Sequence, residues 1–138
     1  MTRGSPMTIA YWCVLASILM PYGLTLFAKR RMPLRHNKDP RAYKETLSGA
    51  SQRAVWAEAN HYESFPGFAA GVVIAHLAQA DQAIVDGLAM GYIGARIVYN
   101  WLYLTDRSTL RTLVWFAAFS CIIGFFAAAA LTGTSAAG

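Results

Sequence analysis

Four apolar stretches, each about as long as a membrane-crossing helix, dominate this 138-residue chain and leave room for little else. A helix needs about 20 mostly apolar residues to cross a hydrocarbon core. Residues 8–27, 51–79, 84–104 and 111–131 meet that length. The predicted fold is all-α: one domain over residues 1–138, an integral membrane four-helix bundle. Only 14% of the residues are charged, so their placement carries the information. Lys29, Arg30, Arg31, Arg35, Lys38, Arg41, Lys44 and Arg53 all fall in or beside the first connection. A basic chain can be a nucleic-acid binder. Here the cations border apolar runs, so they read as a topology signal and no nucleic-acid partner is expected.

The first stretch sits where a signal peptide would, but its charge cluster follows the apolar run and it has no convincing cleavage site. It is read as a retained span, kinked at Pro21. Residues 1–6 precede an alternative start at Met7, and the small, polar tail 132–138 is expected to fray. The connection 79–83 carries Asp81 and no cation, whereas 105–110 carries Arg107 and leads into Arg111. Lys and Arg favour the cytoplasmic side. All three connections then agree on termini outside and two basic loops inside. Cys13 and Cys121 lie in separate apolar stretches without a CxxC partner, and His36, His61 and His76 share no ligand spacing. Neither a disulfide framework nor a metal site is expected.

A charged group at bilayer depth costs at least ~2.5 kcal/mol, so polar residues inside a span need a reason. Arg53, Trp56, Asn60 and Glu63 occupy positions i, i+3, i+7 and i+10 of the second stretch, one helix face. That face continues into Gly67 and Gly71, a GxxxG that permits close helix approach. Pro66 stands between the halves and leaves the Tyr62 carbonyl without its helical donor. The third stretch has a matching stripe, Tyr92, Arg96, Tyr99 and Tyr103. On an antiparallel pair Glu63 and Arg96 reach similar depth, as do Asn60 and Tyr99, and Glu63 and Arg96 are predicted to share one charged network. His61 and Tyr62 point off the stripe and read as packing or interface residues. Spacing alone leaves three readings open: structural pairing, a ligand pocket, or a proton or ion pathway. Four short spans without a visible repeat argue against a transporter.

The run from Arg53 to Pro66, with Asn60-x-x-Glu63-x-x-Pro66, resembles the second-helix signature of the MAPEG family, the membrane-associated proteins in eicosanoid and glutathione metabolism. Arg96-x-x-Tyr99-x-x-x-Tyr103, followed by Arg111, resembles that family's third-helix and following-loop pattern. The resemblance covers nearly the whole chain and implies a homotrimer of four-helix protomers. It also implies glutathione as co-substrate, held near the cytoplasmic face between protomers and conjugated to small lipophilic substrates that arrive from membrane lipid. By resemblance Asn60 and Glu63 hold the tripeptide backbone, Arg96, Tyr99 and Tyr103 surround it, and Arg111 is the catalytic residue that stabilises its thiolate. Arg53, Arg41 or Lys44 is a further candidate contact for a glutathione carboxylate. A free thiol has a pKa of about 8.5 and is mostly protonated at neutral pH, so a fixed guanidinium beside it raises the nucleophilic fraction. The other reading of Arg111 is a positive-inside anchor.

Two positions depart from the family pattern. Trp56 stands where the glutathione-using members commonly carry an arginine, and Ser64 where they carry an aromatic residue or threonine. The expected function is a membrane glutathione transferase or peroxidase, with a non-catalytic lipid-binding or scaffold protein of the same fold as the alternative. The compact loops and short tail point to a bacterial inner membrane.

Overall fold

The computed structural model describes residues 6–135. Its secondary structure is α1 (Ile9–Lys29), a 3-10 turn (Leu34–Lys38), α2 (Pro40–Glu45), α3 (Gly49–Leu77), α4 (Gln82–Leu104) and α5 (Ser108–Ser135). The four long helices match the four apolar stretches to within a few residues. The first connection, read from sequence only as a basic loop, contains the 3-10 turn and α2. The reading of residues 132–138 as a frayed tail is corrected as far as Ser135, where α5 ends; the last three residues, like residues 1–5, lie outside the described residues.

Local chemistry sets the helix ends. The Thr8 hydroxyl accepts the Tyr11 amide at 3.2 Å and caps α1, and the Asp81 carboxylate accepts the Ile84 amide to cap α4. Helix α3 closes when Gln79 turns left-handed (φ 58°), so that Ala80 N–H reaches Ala75 O and Gln79 N–H reaches His76 O. Asp106 ends α4 in the same way, with Arg107 N–H on Leu102 O. Both are Schellman closures, which satisfy the last carbonyls of each helix within a very short connection. Such tight turns force neighbouring helices to run antiparallel.

Side-chain contacts give the register. Arg53 reaches Leu104 O, Asn60 meets Arg96 and Ser64 meets Tyr92, so α3 and α4 are antiparallel. Ser17 meets His61 and Arg30 meets Ser51, so α1 and α3 are antiparallel too. Gly67 lies against Ile122 and Gly71 against Phe125, which makes α3 and α5 parallel neighbours. An added Cβ at Gly71 would come within 3.0 Å of the Phe125 ring, so the second glycine of the GxxxG lets α5 approach.

The core is apolar at one end and polar towards the middle. Phe68 stacks on Tyr92 at 3.9 Å and tilts against Phe125 at 5.8 Å, surrounded by Val72, Ala75, Val85 and Ala89. Nearer the start of α3, His61 is fully buried, with Nε2 2.7 Å from the Ser17 carbonyl, in keeping with its expected packing role. Among the described residues, two helices are long and apolar enough to cross a membrane, α1 and residues Ser108–Thr132 of α5. Helices α3 and α4 have the length but carry polar residues, of which Arg53, Asn60, Ser64, Tyr92 and Arg96 make contacts between the two helices. Trp12, Leu19, Leu26, Leu113, Phe116 and Ile123 on α1 and α5 are exposed, a surface suited to lipid or to another copy.

Candidate functional site

Where α3, α4 and α5 meet they enclose a cavity of about 180 Å³. Helix α3 contributes Asn60, Glu63, Ser64 and Gly67; α4 contributes Tyr92 and Arg96. The remaining wall is apolar and comes from Trp115, Ala118, Phe119 and Ile122, which recur at helical spacing on one face of α5.

Arg96 decides the character of this space. Its side chain is fully buried, and Nη1 donates to Asn60 Oδ1 at 2.9 Å. Nε and Nη2 have no hydrogen-bond partner among the described residues. A guanidinium out of water with two unused donor groups is costly, and a ligand that brings acceptor oxygens into the cavity would relieve that cost. The face of Tyr99 lies 4.4 Å below the guanidinium carbon and offsets part of its desolvation. Glu63 also lines the cavity, but it is exposed, and among the described residues no ion pair joins it to Arg96. The sequence placed Glu63 and Arg96 in one charged network; both line the cavity, but Asn60, one turn earlier on α3, takes the guanidinium and the carboxylate stays exposed.

The other predicted site residues divide into two groups. Tyr99, Tyr103 and Arg111 form a file leading away from the cavity. Tyr103 packs edge-on to Tyr99 at 5.5 Å, and the Arg111 guanidinium carbon sits 4.2 Å above the Tyr103 ring. Arg53 is elsewhere: Nε and Nη2 both donate to Leu104 O, tying the start of α3 to the end of α4. Trp56 is 52% exposed and does not line the cavity. The α3 stripe therefore does not converge on one place. Ten residues of helix span ~15 Å, so its first members lie past the mouth of the cavity.

Sequence reasoning missed the α5 wall, although Trp115, Phe119 and Ile122 at i, i+4 and i+7 were a readable signal. It also passed over the partner of Ser64. That hydroxyl lies 2.9 Å from the Tyr92 hydroxyl and fixes the tyrosine at the cavity edge. A third omission, the Lys44–Glu58 ion pair at 2.6 Å, pins α2 to α3.

A family model for the MAPEG family matches residues 9–131. The chain belongs to the MAPEG family. The match runs from the start of α1 through Leu131 in α5, so it takes in every residue of the cavity. No curated protein matches the chain. MAPEG membership and the two apolar helices together make this a membrane protein. The family includes glutathione-dependent transferases and peroxidases.

Proposed function

We propose that this MAPEG protein is a membrane-bound, glutathione-dependent transferase or peroxidase that acts on lipophilic electrophiles. One observation carries the reading: a buried Arg96 with two nitrogens lacking partners, facing a cavity that is polar on α3 and α4 and apolar on α5. The donor set fits a peptide thiol. Arg96 offers its free donors to a carboxylate or carbonyl oxygen. Glu63, unpaired at the rim, suits a free amine, and Ser64 and Tyr92 border the same space. Glutathione would bring the reacting thiol. Arg111, held over Tyr103, would keep that thiol ionised, while the wall of Trp115, Phe119 and Ile122 would receive the apolar part of the electrophile. The cavity within one chain is small for a whole tripeptide. In this proposal three copies assemble, all four long helices cross the membrane, and a neighbour's surface completes the site; the apolar side chains exposed on α1 and α5 support such assembly.

Glutathione titrated into the purified protein should generate thiolate absorbance, and Arg111→Ala should remove that absorbance while leaving binding in place. Absence of binding at millimolar glutathione would defeat the proposal. A second reading, a lipid-binding or scaffold protein without thiol chemistry, draws support from Trp56, which replaces a familial arginine and is turned away from the cavity. Under that reading Arg111→Ala changes nothing, and Gly67→Leu, which fills the cavity, destroys function.

A further inference from the structure

A second cavity, of about 330 Å³, lies at the far end of the molecule from the apolar core, between the end of α1, α2 and the start of α3. Its size falls within the ~300–1,000 Å³ range of small-ligand sites. Arg30 and Arg31 line it together with Tyr43, Thr46, Ser48 and Ser51, and no acidic residue does so. They bring two guanidinium groups and the hydroxyls of Tyr43, Ser48 and Ser51 as donors, while the Thr46 hydroxyl is already spent on the Tyr43 carbonyl at 2.8 Å.

The cavity is held in shape. Arg30 Nη1 is anchored by the Phe27 carbonyl at 2.8 Å and by Ser51 Oγ at 3.1 Å, and its guanidinium lies 4.0 Å over the Phe27 ring. The Lys44–Glu58 pair pins α2, which carries Tyr43, against α3. Arg31 is exposed and makes no hydrogen bond or ion pair among the described residues, so its charge is uncommitted. The Ser48 side chain, at the start of α3, makes no cap hydrogen bond.

Position selects the ligand. The cavity opens where the apolar helix α1 gives way to Lys29, Arg30 and Arg31, the level at which lipid headgroups lie against a spanning helix. We propose that this cavity binds the phosphate of an anionic phospholipid, with Arg30 and Arg31 on the phosphate oxygens and the hydroxyls of Tyr43, Ser48 and Ser51 around the headgroup. Cationic pockets beside spanning helices hold lipid headgroups by this chemistry. The site is separate from the cavity around Arg96 and does not depend on the thiol reading.

The test uses the full chain in a neutral detergent, with short-chain phosphatidylglycerol, short-chain phosphatidylcholine and inorganic phosphate as probes, read by native mass spectrometry and by thermal shift. One phosphatidylglycerol should bind per chain in preference to phosphatidylcholine and raise the melting temperature. The pair Arg30→Gln with Arg31→Gln should weaken that binding about tenfold, and Arg31→Gln alone about threefold. Arg31→Gln touches no structural hydrogen bond, so it reports even if the double variant folds poorly. Arg35→Gln with Lys38→Gln, cations outside the cavity, should change binding less than about twofold. Equal losses from the two pairs would reduce the effect to diffuse charge and overturn the site. Equal binding of phosphatidylcholine, or saturation by inorganic phosphate at the same concentration, would overturn the assignment to an anionic lipid.

Discussion

Arg96 is the residue at which stability and function pull apart. Its guanidinium is buried with one neutral acceptor and one aromatic face, and two of its nitrogens are unused. Replacing a buried charge by an apolar side chain of similar volume is often neutral or stabilising, by ~1–4 kcal/mol. Arg96→Met is therefore expected to leave the melting temperature of the ligand-free protein unchanged or raise it, and to abolish glutathione binding in a calorimetric titration. If Arg96 were chiefly a tie between α3 and α4, the same change would lower the melting temperature, because losing the Asn60 contact would then outweigh relief of the guanidinium's desolvation. The polar members of this site were legible in the sequence because charge at bilayer depth is rare and must be explained. Which partner each one takes was not. Asn60 and Glu63 share a helix face, and only the rotation of α3 against α4 decides that the amide rather than the carboxylate meets Arg96.

The helices follow from patterns a sequence displays openly, and their contacts depend on shape it does not. Length and apolarity placed the four long helices; that Thr8 and Asp81 cap two of their starts was not read from the sequence. The 3-10 turn and α2 escaped notice because a basic connection has no apolar period to read. The GxxxG of α3 promised close approach without naming the partner helix, and its two glycines turn out to differ. A Cβ at Gly67 would meet Ile122 at an ordinary 3.5 Å, whereas one at Gly71 would meet three atoms of the Phe125 side chain at 3.0–3.3 Å. Phe125 is fully buried, wedged near Phe68, and has nowhere to go. Gly67→Ala should therefore stabilise the protein by up to ~1 kcal/mol through helix propensity. Gly71→Ala should destabilise it by ~1–2 kcal/mol, since overpacking outweighs the same gain. Melting in detergent separates them by sign, and a shared sign would mean that α3 and α5 do not meet as described.

At the scale of the whole molecule, the question is how four helices of unequal apolarity sit in one bilayer. Helices α1 and α5 are predominantly apolar and expose large side chains, as lipid contact requires. Helices α3 and α4 hold Arg53, Asn60, Ser64 and Arg96 in contacts with each other, so little of their polarity need face lipid. The tight turns after Leu77 and Leu104 leave no length for either helix to lie flat on the surface while its neighbours cross. All four are therefore expected to span, with the first and third connections on one side and the second on the other. Single cysteines at Asn37, Ala83 and Arg107, all exposed positions, test this once Cys13 and Cys121 are replaced by alanine. In sealed vesicles an impermeant thiol reagent should label Asn37→Cys and Arg107→Cys alike and Ala83→Cys oppositely. If Ala83→Cys instead reacted together with Arg107→Cys, α4 would not cross. The cavity around Arg96 could not then lie within the bilayer, and a lipophilic electrophile would have no direct route to it.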